Sequence, residues 1–201
     1  MNKVKFLTAG ESHGKALVGI IEGMPSGLSI SSRYINRQLS RRQKGYGRGG
    51  RMKIEKDKVE ILSGVRNSET IGSPIALTIK NLDWKNWKDI MSSGINKNVN
   101  KITLPRPGHA DLAGAKKYDF DDIRNVIERS SARETTMRVA LASICRKMLE
   151  ELGIKLFSHV TSIQNIKSDF KLSASHCLSM LNEKADKSPL RCLDEYAEIK
   201  M

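Results

Sequence analysis

Aromatic side chains make up only 5% of this 201-residue chain, and histidine and cysteine are as sparse, with four and three copies. Cys145, Cys177 and Cys192 are odd in number and form no C-x-x-C pair. That argues against a disulfide framework and for reduced thiols. Cys145 falls in an apolar helical pattern and reads as plain core. No H-E-x-x-H motif or Cys/His ligand spacing is present, so no metal centre is expected. No apolar run approaches the roughly 18 residues of a membrane span, and no membrane partner is expected. The opening MNKVKFLTAGES reaches polar residues too soon for a signal peptide, so a cytoplasmic location is the default. Internal repeats and low-complexity linkers are also missing.

What remains is an ordinary globular composition with one bias. Counting glycine and omitting tyrosine, about 44% of the chain is apolar, just under the usual globular range. The length suits one sizeable domain. The bias is charge: 35 Lys and Arg against 22 Asp and Glu leave a net +13. Such an excess implies anionic partners, whether nucleic acid, a membrane surface or phosphorylated small molecules. Many of the lysines (Lys53, Lys56, Lys58, Lys85, Lys88) are scattered and read as solvated surface.

Val4, Phe6 and Thr8 alternate with polar residues and predict a strand ending in the turn Ala9–Gly14. A second strand is expected over Leu17–Glu22, closed by a turn at Pro25-Ser26-Gly27. Ser31 or Ser32 can cap a short helix carrying Ile35 and Leu39. Two strands, Val59–Val65 and Pro74–Lys80, are expected with a polar turn between them. Residues 81–111 look irregular, with Trp84 and Trp87 as anchors; so long a loop is more often functional than idle. The strongest helix runs from Ser131 to Leu152. Ser131 and Glu134 form a capping box there, and Met137, Leu141, Ile144, Met148 and Leu152 make one apolar stripe before Gly153. A strand over Phe157–Ile163 and a helix over Leu172–Lys184 follow. Asp194–Met201 reads as the opening of a helix.

Three segments carry candidate chemistry. Gly45-Tyr46-Gly47-Arg48-Gly49-Gly50 fits G-x-G-x-x-G, but it follows a helix and leads toward a strand, the reverse of a dinucleotide fold. An RGG-like nucleic-acid segment is a second reading. It would want repeated motifs and interleaved aromatics, and only Tyr46 serves. A phosphate cradle is the third: glycines admit close backbone approach and arginines offer a planar fork of donors. Two histidines sit beside glycine in turn-rich segments, His13 in Ser12-His13-Gly14 and His109 in Arg106-Pro107-Gly108-His109-Ala110-Asp111. A near-neutral pKa on an accessible loop suits proton transfer, and Arg106 would set an anion-binding charge beside it. His159 and His176 lack such company and read as structural or surface. Last, Arg129-Ser130-Ser131 precedes a helix N-terminus, which can bind an anion or simply cap the helix.

Taken together these segments resemble the chorismate synthase family. The resemblance rests on Gly10-Glu11-Ser12-His13-Gly14, on Arg41-Arg42 through Arg48-Gly49-Gly50-Arg51-Met52-Lys53, and on Glu60–Val65 with Gly72–Leu77. It rests also on Arg106–Asp111 and on Arg129-Ser130-Ser131-Ala132-Arg133-Glu134-Thr135. The order and spacing match the family from residue 4 to about residue 165. The resemblance implies an α+β sandwich with helices between sheets, assembled as a homotetramer. It implies a lyase of the shikimate pathway, in aromatic amino-acid biosynthesis, that converts 5-enolpyruvylshikimate 3-phosphate to chorismate and phosphate by anti 1,4-elimination. Reduced FMN assists without net redox change, and NADPH is a possible flavin reductant. By the same carry-over His13 is the general acid for the departing phosphate and His109 the partner of the reduced flavin. Arg42, Arg48 and Arg106 hold substrate phosphate and carboxylate, with Arg42 and Arg48 alternatively assigned to NADP. Arg129, Ser130 and Ser131 contact FMN. Nucleic acid is not expected as a partner.

Members of that family run nearly twice as far, and their later half carries further flavin contacts and an Asp-containing signature. Residues 1–201 are therefore expected to form the N-terminal part of the family's domain. Activity, independent folding and tetramer assembly are the properties this length puts in question; an inactive relic is the other reading.

Overall fold

The structure, a computed structural model, describes residues 3–47, 56–95, 99–173 and 176–201. Strand β1, Lys5–Ala9, turns into β2, Ala16–Glu22, and β3, Ser26–Ser29, leads to helix α1, Ser32–Gln43. Four strands follow: β4, Val59–Ile61; β5, Val65–Arg66; β6, Glu69–Ile71; and β7, Ile75–Lys80. Then come α2, Trp84–Trp87; α3, Asp111–Tyr118; α4, Arg124–Arg129; and the long α5, Glu134–Glu151. A short hairpin, β8 (Ser162–Ile163) with β9 (Ile166–Lys167), precedes α6, Leu178–Lys187, and α7, Glu195–Lys200.

The main sheet is antiparallel in the order β1-β2-β7-β4. Its register sets Phe6 opposite Ile21, Leu17 opposite Ile79 and Ile21 opposite Ile75. Period-two alternation puts Leu17 and Ile21 of β2 and Ile75, Leu77 and Ile79 of β7 on one buried face. Helices α1 and α5 cover that face with Ile35, Leu39, Met137, Leu141 and Ile144. Gly19 lies under α5, where an added Cβ would sit 2.6 Å from Met137 Cγ and Sδ and 2.9 Å from Leu141 Cδ1. The missing side chain therefore sets how closely the helix approaches. A second small sheet, β3-β6-β5, flanks the first, and Leu181, Ala185 and Leu193 with Phe157 and Phe170 make a satellite cluster. The mixed antiparallel architecture is the expected α+β class.

The expected elements at 5–9, 16–22, 32–43, 134–151 and 195–200 are present, and several details differ. Ser31 caps α1, its Oγ accepting from Tyr34 N–H at 3.3 Å. Of the expected turn Pro25-Ser26-Gly27, Ser26 and Gly27 begin β3 and Pro25 precedes it, with Gly23 and Gly27 both at positive φ (84° and 78°). The expected strand Val59–Val65 is shorter, and the "polar turn" after it holds the hairpin β5–β6, turned by Asn67 and Ser68 at positive φ. The Ser131–Glu134 capping box does not form. Helix α5 starts at Glu134 without a side-chain cap, because the Glu134 carboxylate accepts from Thr8 Oγ1 at 2.6 Å and Arg138 Nε at 2.7 Å. Leu152, the last residue of the expected stripe, is exposed, and Cys145 is half-buried at the core's rim. The Phe157–Ile163 strand reduces to Ser162–Ile163, and the Leu172–Lys184 helix shifts to Leu178–Lys187. Of the described residues, no helix is long and apolar enough to cross a membrane.

Candidate functional site

The turn between β1 and β2 carries His13. Gly10 begins it at φ 109°, and a Cβ there would lie 2.6 Å from Ala16 O, so glycine is required for the chain to double back so tightly. The far side of the turn is bolted to the end of α4. Ser12 N–H donates to Glu128 O at 3.0 Å, and His13 N–H donates to Glu128 Oε2 at 2.7 Å. The ring meets the same carboxylate, with His13 Nδ1 2.9 Å from Oε1 and 3.0 Å from Oε2. One face of the imidazole stacks on Trp87, centroids 3.7 Å apart at 27°. The Glu128 side chain is 2% exposed and that of His13 24%. Burial pushes the Glu128 carboxyl up, but hydrogen bonds from the His13 ring and backbone outweigh it and hold the group below its ordinary value.

The second histidine motif folds on itself. Arg106 grips Asp111 with a two-pronged fork, Nε to Oδ2 at 2.8 Å and Nη2 to Oδ1 at 2.9 Å, and its backbone N–H adds a third bond at 3.0 Å. These bonds hold the Asp111 carboxyl down at about 2 and raise Arg106 in turn. The Glu128 charge also contributes to raising Arg106, which ties this motif to the His13 motif. His109 Nδ1 lies 3.2 Å from Arg106 Nη2. The same Nδ1 lies 3.6 Å from Asp111 Oδ1; in a neutral ring with its hydrogen on Nε2, Nδ1 accepts from the guanidinium, which can only donate.

The third motif joins the first. Arg129 Nη2 donates to Thr8 O at 3.1 Å, and Nη1 lies 3.4 Å from Glu134. Ser130 Oγ donates back to Val126 O at 2.7 Å, and Ser131 Oγ donates to Ser12 Oγ at 3.0 Å, beside His13. Arg42 reaches the same stretch from α1, its Nη2 donating to Ala132 O at 2.8 Å and its Nε to Thr135 Oγ1 at 3.1 Å. Beneath them Asp57 accepts from Arg133 Nη1 at 2.8 Å and from Gln43 Nε2 at 3.1 Å. Arg48 and the rest of the Gly-Arg loop through residue 55 lie outside the described residues.

Between the second and third motifs opens a cleft of about 490 Å³. Ala113, Gly114, Phe120 and Val126 line it with Lys117, Asn125, Arg129 and Ser130. A space of this size and lining suits a planar aromatic group with an anionic tail. Among the described residues no group of His, Cys, Asp and Glu is arranged to hold a metal ion. His159 packs between Phe157 and Phe170, and His176 accepts from Ser173 N–H at 3.0 Å; neither joins the site. Sequence reasoning gave no role to Glu128, Asp111 or Asp57, and it placed Trp87 only as an anchor. The search for a carboxylate partner to each candidate histidine is the signal that could have found Glu128 and Asp111.

The chain matches the family model described as chorismate synthase over residues 4–201. It is 52% identical to the chorismate synthase of Geobacillus sp. (strain WCH70) over 202 residues, covering 98% of this chain and 52% of that protein. It is 56% identical to that of Desulforamulus reducens over 197 residues, covering 97% of this chain and 50% of the relative. A crystal structure of chorismate synthase superposes with a TM-score of 0.77 at 40% identity, covering all of this chain and 52% of that one. The chain thus spans about half the length of the curated relatives it matches. With the fold shared, the family model matched over residues 4–201 and about half of the aligned residues identical to those relatives, the chain belongs to the chorismate synthase family.

Proposed function

We propose that this chain carries the acid and anion-binding portion of a lyase that converts 5-enolpyruvylshikimate 3-phosphate to chorismate and phosphate by anti 1,4-elimination. The observation that supports this best is the convergence of the His13 turn and the Arg129–Ser131 segment at the end of α4. Glu128 takes the His13 turn, Arg129 takes β1, and Ser131 closes on Ser12.

In this reading His13 is the general acid. Its Nδ1 is engaged by Glu128, so Nε2 is the atom that hands a proton to the departing phosphate oxygen. Arg106, its plane fixed by Asp111, holds an anionic group of the substrate, with Arg42 and Arg48 as further cations; Arg42 and Arg48 alternatively take the phosphate of NADP. Arg129 and Ser130 line the cleft, where they would hold the phosphate and ring edge of FMN, with Ser131 beside His13. Reduced FMN, when bound, supplies electron density transiently with no net redox change. His109, with its hydrogen on Nε2, controls the protonation of the group in the cleft. Location in the cytoplasm and a homotetrameric assembly complete the reading.

The test is an anaerobic assay with reduced FMN and substrate, on the 201-residue chain alone and mixed with the complementary half of a close relative. Turnover in the mixture and none by the chain alone is expected. A mixture that binds substrate yet forms no chorismate overturns the assignment.

A further inference from the structure

We propose that Glu128 and Trp87 are positioning residues for His13, the carboxylate fixing which ring nitrogen faces the substrate and the indole fixing the plane of the ring. The inference rests on the reading of His13 as the acid. Its warrant is that the His13 turn is clamped from two sides, by a buried carboxylate and by a stacked indole.

On one side the Glu128 carboxylate is 2% exposed and accepts from both the backbone N–H and the ring of His13, at 2.7 and 2.9 Å. A buried carboxylate pairs its charge or leaves it uncompensated at great cost, and here the imidazole is its nearest partner. An ionised carboxylate only accepts, so Nδ1 carries a hydrogen in every protonation state of the ring. The orientation of the other nitrogen follows: among the described residues none bonds Nε2, and this is the atom left to exchange a proton.

On the other side the indole is itself pinned. Trp87 Nε1–H donates to Asp83 Oδ2 at 2.9 Å, and Asp83 N–H donates to Asn81 Oδ1 at 3.0 Å. Asn81, buried, returns to the turn itself, its Nδ2 donating to Gly14 O at 2.9 Å and its N–H to Lys15 O at 3.1 Å. The stacked ring is thus referenced to the same turn that bears it. Rotation about the His13 side-chain bonds would break either the carboxylate contact or the 3.7 Å stack.

Ring-nitrogen NMR on the 15N-histidine-labelled 201-residue chain, above the pH where His13 is charged, reads this directly. The chain as it stands should show the Nδ1–H form. Glu128→Ala should move the ring to the Nε2–H form that free imidazole prefers, while Glu128→Gln, which keeps an acceptor and the side chain's shape, should restore Nδ1–H. In the two-half mixture Glu128→Ala should lower kcat toward the roughly 10²–10⁴-fold loss expected when the acid itself fails, with KM little changed. Trp87→Leu should give a smaller loss of the same kind. If the tautomer is the same in Glu128→Ala and the parent, or if Gln fails to restore it in a chain with native backbone spectra, the proposal is overturned. Near-normal turnover by His13→Ala alongside the expected tautomer shift would instead overturn the acid assignment alone.

Discussion

Asp57 and Arg133 meet at 2.8 Å where their side chains are only 2% and 7% exposed. The pair lies at the joint between the segment leading into β4 and the residue just before α5, and Gln43 closes it from α1. Removing the carboxylate would take from a nearly buried guanidinium the acceptor that its Nη1 meets at 2.8 Å. Asp57→Ala is therefore expected to destabilise the chain by about 3–5 kcal/mol. Denaturant unfolding measures this, and a loss under 1 kcal/mol would show that water reaches Arg133 and compensates it.

His13→Ala, tested in the two-half mixture, should lower turnover by about 10²–10⁴-fold while changing substrate affinity much less. Calorimetry and steady-state rates on the same preparation separate the two effects. A variant that loses affinity in proportion to rate would make His13 a binding group rather than an acid.

The acid limb of stability should depend on Asp111. Its carboxyl is held at about 2 in the fold, against about 3.9 for a free aspartate. A carboxyl whose folded value is the lower one stabilises the fold above the unfolded value and loses that contribution as pH falls through the folded value. The window is roughly pH 4 down to pH 2. Arg106 is 44% exposed, so water screens part of the effect. Thermal unfolding across that window should show a shallower decline in Asp111→Asn. It will not be flat, because Glu128 and Glu134 are also held below their ordinary values.

Gly19→Ala should cost about 1–3 kcal/mol by overpacking, since the new Cβ would meet Met137 Sδ at 2.6 Å. Met137→Ala in the same chain should recover part of the loss in Gly19→Ala, which a double-mutant cycle would register as coupling. Additive effects would mean that α5 simply lifts off the sheet.

Much of the fold was legible because the signals were local. The alternation in β1 and β2, the Ser31 cap and the spacing of Met137, Leu141 and Ile144 each express one element's own geometry. What was missed lies in tertiary choices. Glu134 fits a capping box, yet Thr8 and Arg138 offered its carboxylate better partners. The Asn67-Ser68 turn lacks the Asn-Gly signature that marks such hairpins, so a short hairpin was taken for loop. The histidines and arginines of the site were found through family motifs, whose fixed spacing is visible in a single chain. Glu128 was given no role and Trp87 only that of an anchor, because each lies far along the chain from His13, Glu128 by 115 residues, and no local pattern marks the pairing.

The Glu128–His13 contact also sets an order of events during synthesis. At about 5–20 residues per second, the interval between translating His13 and translating Glu128 is on the order of 10 s. The β1–β2 hairpin is complete early in that interval, yet its turn has neither the carboxylate nor the end of α4 to lean on. Closing so long a loop makes the acidic clamp a late event. Until then the nascent chain carries a histidine free to rotate, and the orientation of its ring is set only when α4 docks.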